Sequence, residues 1–368
     1  MSILYDEQQQ AIARESRRVL AARMDKARLL ALIERTGEYD RAFWDTAIAQ
    51  GWTALAVPEA HGGLGLGLVE LGLVAQAAGA ETAGAPFLTS NYGAVRALLA
   101  SGDAQLQARW LPRIAAGEVV VAVALAEGTA QLPPRPACVL ADGRLSGAKP
   151  GVTAGLAADL AVVWCLHEGR PALALAELAG ATRQAVDSFD NGRLFADLTF
   201  AGAPAMLLLD GEPARAAALD LLARMAVVTA HEQLGGAEAL LFIARDYANE
   251  RKAFGQPIGA FQSVKHRIAE LYGLVEIARA NCIHAAARAG EQGGEGDFLR
   301  AAAAARLSAT EAYDTAARDT VQIHGGIGVT WEGGLHLHMR RARSLAIEQG
   351  NTLFWEDLLA AELSGAGA

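Results

Sequence analysis

Hydrophobic positions recur at helical spacing over most of this chain and at strand spacing only in its middle. Residues 5–35 predict a helix, with Asp6 as N-cap and Gln9 three residues on in the capping-box position. Trp44, Ile48 and Trp52 follow at helical intervals until Gly51 loosens the end, and Pro58 to Gly67 is a glycine-rich turn segment. A longer helix through Val69, Leu73 and Val74 breaks at Gly84-Ala85-Pro86, and another run ends at Trp110-Leu111-Pro112. The aromatic residues here are assigned to packing between helices.

The texture changes near Gly117. Residues 119–125, 160–165 and 172–175 are short apolar runs with β-branched members, and glycine, proline and aspartate punctuate the chain up to Ala201-Gly202-Ala203-Pro204. These predict a small β domain over 117–209. From Pro213 the helical pattern returns, with long runs over 219–249 and 301–323. Val264, Ile268, Leu271, Tyr272 and Val275 form one apolar stripe, and Gly235-Gly236 is read as a close approach of helices. The chain is therefore expected to be mainly α with a central β domain, divided as a helical domain (1–116), a β domain (117–209) and a helical bundle (210–368).

At 368 residues the chain exceeds one ordinary core, and 52% hydrophobic with 20% charged residues is a globular composition. A net charge of −9 argues against nucleic acid as a general partner. Cys138, Cys165 and Cys282 stand far apart with no CxxC pair, which suits a reducing compartment. His336 and His338 would point to different sides of a helix, so no metal site is expected. No uncharged apolar run approaches the ~18–20 residues of a membrane span, and no signal core opens the chain. A cytoplasmic protein is expected.

Two glycine-bearing breaks carry polar residues that Ala/Leu-rich helices do not need. The first is Asn249 to Gln262, with the donor fork of Arg251 and the amide of Gln262. The second is Val321 to Gly328, where Gly325-Gly326 leaves backbone N–H groups open to close approach. An anion such as a pyrophosphate fits that chemistry. A helix-end turn with a surface arginine is the simpler reading of either motif taken singly.

Arg251-x-x-Phe-Gly-x-Pro-Ile-x-x-Phe-Gln, followed by Gln322-x-x-Gly-Gly-x-Gly, resembles the acyl-CoA dehydrogenase family. The resemblance extends back through Gly51-Trp52-Thr53-Ala54-Leu55-Ala56-Val57-Pro58-Glu59 and Gly62-Gly63-Leu64-Gly65, and forward to Met339-Arg340-Arg341-Ala342-Arg343. It implies an N-terminal helical domain, a middle β-barrel-like domain and a C-terminal four-helix bundle. It also implies FAD, an acyl-CoA substrate, and a glutamate base that takes the α proton while the β hydrogen leaves as hydride. In the family, one subunit's motifs hold the ADP portion of its neighbour's FAD. Carried over, those positions are Arg251, Phe254, Phe261, Gln262, Gln322, Gly325 and Gly326.

Other family positions are altered. Ala126 to Pro134 lacks the glycine–serine part of the flavin loop, and Gly151 stands where a tryptophan covers the ring. Gln349 falls at the base position, and a carboxamide accepts no α proton in a useful pH range. Glu348, one residue away, is read as an exposed acid in preference to a displaced base. The family's alternative base position falls near Met225. The pattern resembles the non-catalytic subunit of heteromeric α2β2 acyl-CoA dehydrogenases of bacterial steroid side-chain degradation. That implies a homologous partner subunit with the glutamate and a bulky CoA thioester. A homotetrameric enzyme using Glu348 and a flavin-free scaffold subunit stay open. The basic run at Arg340, Arg341 and Arg343 is read as solvated or interfacial.

Overall fold

The structure, a computed structural model, describes residues 5–84, 86–290 and 295–364, so Ala85 in the expected break lies outside the described residues. Six helices come first: α1 (Glu7–Arg23), α2 (Lys26–Leu32), α3 (Arg41–Ala49), α4 (Leu68–Ala80), α5 (Phe87–Ser101) and α6 (Ala104–Ala115). The Asp6/Gln9 capping box is formed in both directions. The single helix expected over 5–35 is two, because Met24 turns extended and the Asp25 carboxylate caps the N–H groups of Ala27 and Arg28. Likewise α6 does not stop at Pro112. It runs on to Ala115, since burying Trp110, Leu111, Ile114 and Ala115 on one face outweighs the hydrogen bond that proline forfeits.

The middle of the chain is a seven-stranded sheet: β1 (Val121–Ala124), β2 (Val139–Ala141), β3 (Arg144–Val152), β4 (Leu160–His167), β5 (Arg170–Glu177), β6 (Ala181–Ala185) and β7 (Ala196–Asp210). One half of β4 pairs in parallel with β1 and its far end with β2, while β5 pairs antiparallel along its length. The path β2–β3–β7–β5 returns to β4 and closes a barrel. All three expected strands are present. A 40-residue helix follows, α7 (Gly211–Glu250), then a hairpin of β8 (Lys252–Ala253) and β9 (Gln256–Pro257). Helices α8 (Gln262–Arg288), α9 (Glu295–His324), α10 (Leu335–Ile347) and α11 (Thr352–Ser364) complete the chain. This is the mainly α fold with a central β region that the pattern predicts.

By internal contacts the chain forms two units, one of residues 31–67 and 84–225, the other of 1–30, 68–83 and 226–368. In the first, Trp44, Trp52 and Trp110 are buried, and Trp44 meets Phe87 edge-on at 5.0 Å. In the second, α4 and α7 approach backbone to backbone. A Cβ on Gly79 would lie 1.8 Å from the Glu232 carbonyl oxygen, and one on Gly235 1.8 Å from that of Gln76. Close packing explains Gly235 as expected, and α7 continues through it unbroken. The apolar stripe of α8 differs from the one expected. Leu271, Val275, Ala278 and Cys282 are buried, whereas Tyr272, 100° further round the helix, is exposed. Among the described residues no helix is long and apolar enough to cross a membrane.

Candidate cofactor edge and base position

The two glycine-bearing motifs lie on one edge of the second unit. Tyr247, one turn before the end of α7, stacks on His324 at the end of α9, with centroids 4.0 Å apart. Arg251 continues the last turn of α7 through its N–H to the Tyr247 carbonyl, and its own carbonyl accepts from Ile258. Between them β8 and β9 pair Lys252 with Pro257 and Ala253 with Gln256. Their two-residue connection, Phe254-Gly255, has positive φ at both positions (51° and 83°), as a primed hairpin turn requires. Phe254 is not glycine and accepts that conformation with its ring 96% exposed, touching Phe261 edge-on at 6.2 Å.

Arg251, Gln262 and Gln322 are all exposed, and none of their side chains has a partner among the described residues. At Gly325 (φ +59°) and Gly326 an added Cβ would meet nothing within 4 Å. Gly325 is explained by its backbone angle, but Gly326 has neither positive φ nor crowding, so the chain's own packing makes no demand for glycine there. Gly328 contrasts, since its Cβ would strike the Val321 carbonyl. An unpartnered guanidinium, two free amides and an open glycine turn fit a pyrophosphate-bearing group. The sequence-predicted residues are thus brought together.

The base position lies in the turn from α10 to α11. Gln349 has φ +51°, its Oε1 accepts the Thr229 hydroxyl at 2.8 Å, and its carbonyl accepts from Trp355 Nε1 at 3.0 Å. Beneath the turn, the fully buried Arg306 donates to the carbonyls of Leu345 and Glu348 and to Gln233 Oε1. Burial pulls the Arg306 guanidinium down to about 10, with the nearby Glu348 charge opposing the shift, so it stays cationic near neutrality. Glu348 is itself only 4% exposed. It is therefore not the exposed acid expected from sequence, and it lies buried near the Arg306 charge. Met225 is a packed core residue; a Cβ on Gly93 would sit 2.4 Å from its sulfur. Neither position offers a free carboxylate.

In the β unit, Gly151 has φ +60°, is exposed, and donates its N–H to Asp197, so no ring projects there. The altered loop is closed by its own groups. Glu127 accepts from Lys149 Nζ at 2.6 Å and from the Ala137 N–H, and the buried Trp164 donates to the Pro133 carbonyl. Lys149 is wholly buried, which lowers its pKa against the opposing pull of Glu127. The sequence reading missed Lys149, although it shares the inward parity of Leu145 along β3 and a lysine there needs an acid. Thr229 and Arg306 were missed too; an arginine closing the alanine run 301–305 of α9 was the available signal.

Of the basic run only Arg341 departs from a solvated reading, buried against Glu232 at 2.8 Å; Arg343 is exposed and pairs with Asp314, and Arg340 lies over the Trp331 ring. His338 is buried on the Tyr313 hydroxyl and His336 stacks on Trp331, both packing roles. The three cysteines are free and buried, and the described residues contain no metal-binding cluster.

Comparison with known proteins agrees with this geometry. Residues 6–118 match the acyl-CoA dehydrogenase N-terminal domain and residues 215–363 its C-terminal domain. Acyl-CoA dehydrogenase IpdE2 of Mycobacterium tuberculosis is 30% identical over 84% of this chain and 82% of its own. The ChsE4-ChsE5 complex of Mycobacterium tuberculosis superposes with TM-score 0.90 at 26% identity, covering 100% of both chains. A variant of the Tcur3481-Tcur3483 steroid ACAD gives TM-score 0.86 at 27% identity over 98% of this chain and 99% of that one. With both terminal domains matched and a relative similar over most of its length, this chain belongs to the acyl-CoA dehydrogenase family.

Proposed function

We propose that this chain is the base-less subunit of a heteromeric, FAD-dependent acyl-CoA dehydrogenase. It lends its exposed edge to the flavin of a homologous partner that carries the catalytic glutamate. The observation that carries the reading is the contrast between two sites in one unit. At the edge, Arg251, Gln262 and Gln322 are exposed and unpartnered beside a glycine turn. At the base position, the only side-chain oxygen of Gln349 is engaged by Thr229.

In this reading Arg251 pairs with the pyrophosphate, and Gln262 and Gln322 supply amide hydrogen bonds. The Gly325-Gly326 turn lets backbone N–H groups approach an anion without a Cβ between. The exposed Phe254 ring and the half-buried Phe261 ring shield the ADP portion from water. FAD, when bound, supplies the acceptor for the hydride that leaves the β carbon. This chain's residues bind and orient; the proton transfer belongs to the partner's glutamate. The likeness to the ChsE4-ChsE5 complex and to the Tcur3481-Tcur3483 steroid ACAD supports a partner subunit, and the latter supports a bulky polycyclic acyl-CoA as substrate. We read residues 1–116, 117–209 and 210–368 as three domains of a cytoplasmic α2β2 assembly.

The test is co-purification with a homologous glutamate-bearing subunit. Bound flavin of about one per two chains is expected, lost in Arg251→Ala; one FAD per chain in the isolated protein, reduced by an acyl-CoA, would overturn the proposal.

A further inference from the structure

A second site lies apart from the cofactor edge, within the same unit. A cavity of about 260 Å³ opens between the α1–α2 junction, the end of α4, and the turn leading into α10. That volume is just below the range of drug-sized pockets, so it suits a small group. Met24, Leu29, Ile243 and Leu335 form its apolar walls.

One polar group in it is left over. Glu81 is half-buried, and its carboxylate has neither hydrogen bond nor ion pair among the described residues. The cations nearby are committed elsewhere. Lys26 lays its stem on Gly334 and donates to the Gly333 carbonyl at 2.7 Å. Arg341 is neutralised by Glu232 and donates to the carbonyls of Thr82 and Ala83. His338, whose Nδ1 is on the Tyr313 hydroxyl, is kept neutral by burial. Desolvation with no opposing charge raises the Glu81 pKa, the sign of a carboxylate lacking a counter-ion.

Position adds to this. Glu81 follows the last residue of α4, where helix carbonyls already carry partial negative charge and an acid is disfavoured. Its neighbour Thr82 is a non-glycine residue at φ +50°, and Arg341 pins that strained residue by its carbonyl. The fold thus holds a carboxylate where it costs stability, at the mouth of an apolar cavity.

We propose that this cavity binds a cationic group on an aliphatic stem, an alkylammonium or alkylguanidinium, through the Glu81 carboxylate. The stem replaces water against Leu29, Ile243 and Leu335, and the head supplies the missing counter-charge. The assignment is independent of the shared-flavin reading, because no residue of the cavity belongs to the cofactor edge.

Calorimetric titration of the full chain with hexylammonium, hexan-1-ol and hexanoate tests it. Hexylammonium should bind at least about tenfold more tightly than the alcohol, a charge-assisted hydrogen bond being the difference. Glu81→Gln, with a melting temperature at or above the parent's, should erase that preference. Capped lysine and arginine amides distinguish the source: a free amine predicts hexylammonium as the tighter ligand, and a protein side chain predicts the capped residue. Equal binding of alcohol and ammonium, or an ammonium preference surviving in Glu81→Gln, would overturn the proposal.

Discussion

Replacing Arg306 by methionine tests whether Glu348 is a structural counter-charge or a base in reserve. The guanidinium is wholly buried and donates to the main-chain carbonyls of Leu345, Glu348 and Gly350 and to Gln233 and Thr310. Arg306→Met leaves those buried acceptors without this donor and removes a charge that acts on Glu348. Leaving buried acceptors unsatisfied costs about 1–3 kcal/mol each, so about 3–5 kcal/mol for the group. At roughly 1–2 °C per kcal/mol for a chain of this size, the melting temperature should fall by about 3–10 °C. Glu348→Gln preserves shape and should cost less, about 1–3 kcal/mol. Because the two charges act on each other through space, the double variant should cost less than the sum, with a coupling of about 1–3 kcal/mol. Urea denaturation of the four proteins at neutral pH gives the cycle. A neutral Glu348→Gln with additive effects would refute the reasoning and return Glu348 to consideration as a base.

Three further outcomes are expected. Gly235→Ala places a methyl 1.8 Å from the Gln76 carbonyl oxygen, so α4 and α7 must separate; a loss of at least about 3 kcal/mol, or failure to accumulate soluble protein, should be seen on expression and melting. Burial lowers His231 to about 4 and His338 to about 3, so the unfolded chain binds protons below about 6.5 that the folded chain refuses. Stability should therefore fall as pH drops from 6.5 towards 4, by about 1.4 kcal/mol per pH unit for each histidine, and His338→Gln should flatten the slope of urea midpoints between pH 7 and 5. Gln349→Glu should restore a carboxylate facing Thr229 yet give the isolated chain no acyl-CoA turnover, because Gly151 still covers no ring; measurable turnover would argue against the half-site reading.

The fold was largely legible because hydrophobic period reports local structure. Helical stripes, the strand run of 119–125 and the long helices around Gly235 all came through. Where it misled, a local rule lost to burial or to a cap: Pro112 inside α6, Asp25 splitting the first helix, Tyr272 turned outward. The candidate edge could be singled out because its residues sit in two short segments whose composition is odd for a helical protein. The groups that hold the base position were not, since Arg306, Thr229 and Gln349 come from three helices or their ends and meet only in space. Glu348 shows the same limit, for sequence names an acid but not the cation buried beside it.

The most direct measurement is flavin content and acyl-CoA turnover of the chain alone and with its glutamate-bearing partner, each with Arg251 intact and as Arg251→Ala. The account predicts little flavin and no turnover alone, about one FAD per two chains with turnover in the pair, and loss of both on Arg251→Ala. A chain that alone holds one FAD and reduces it with an acyl-CoA, or a pair whose flavin ignores Arg251→Ala, would contradict it.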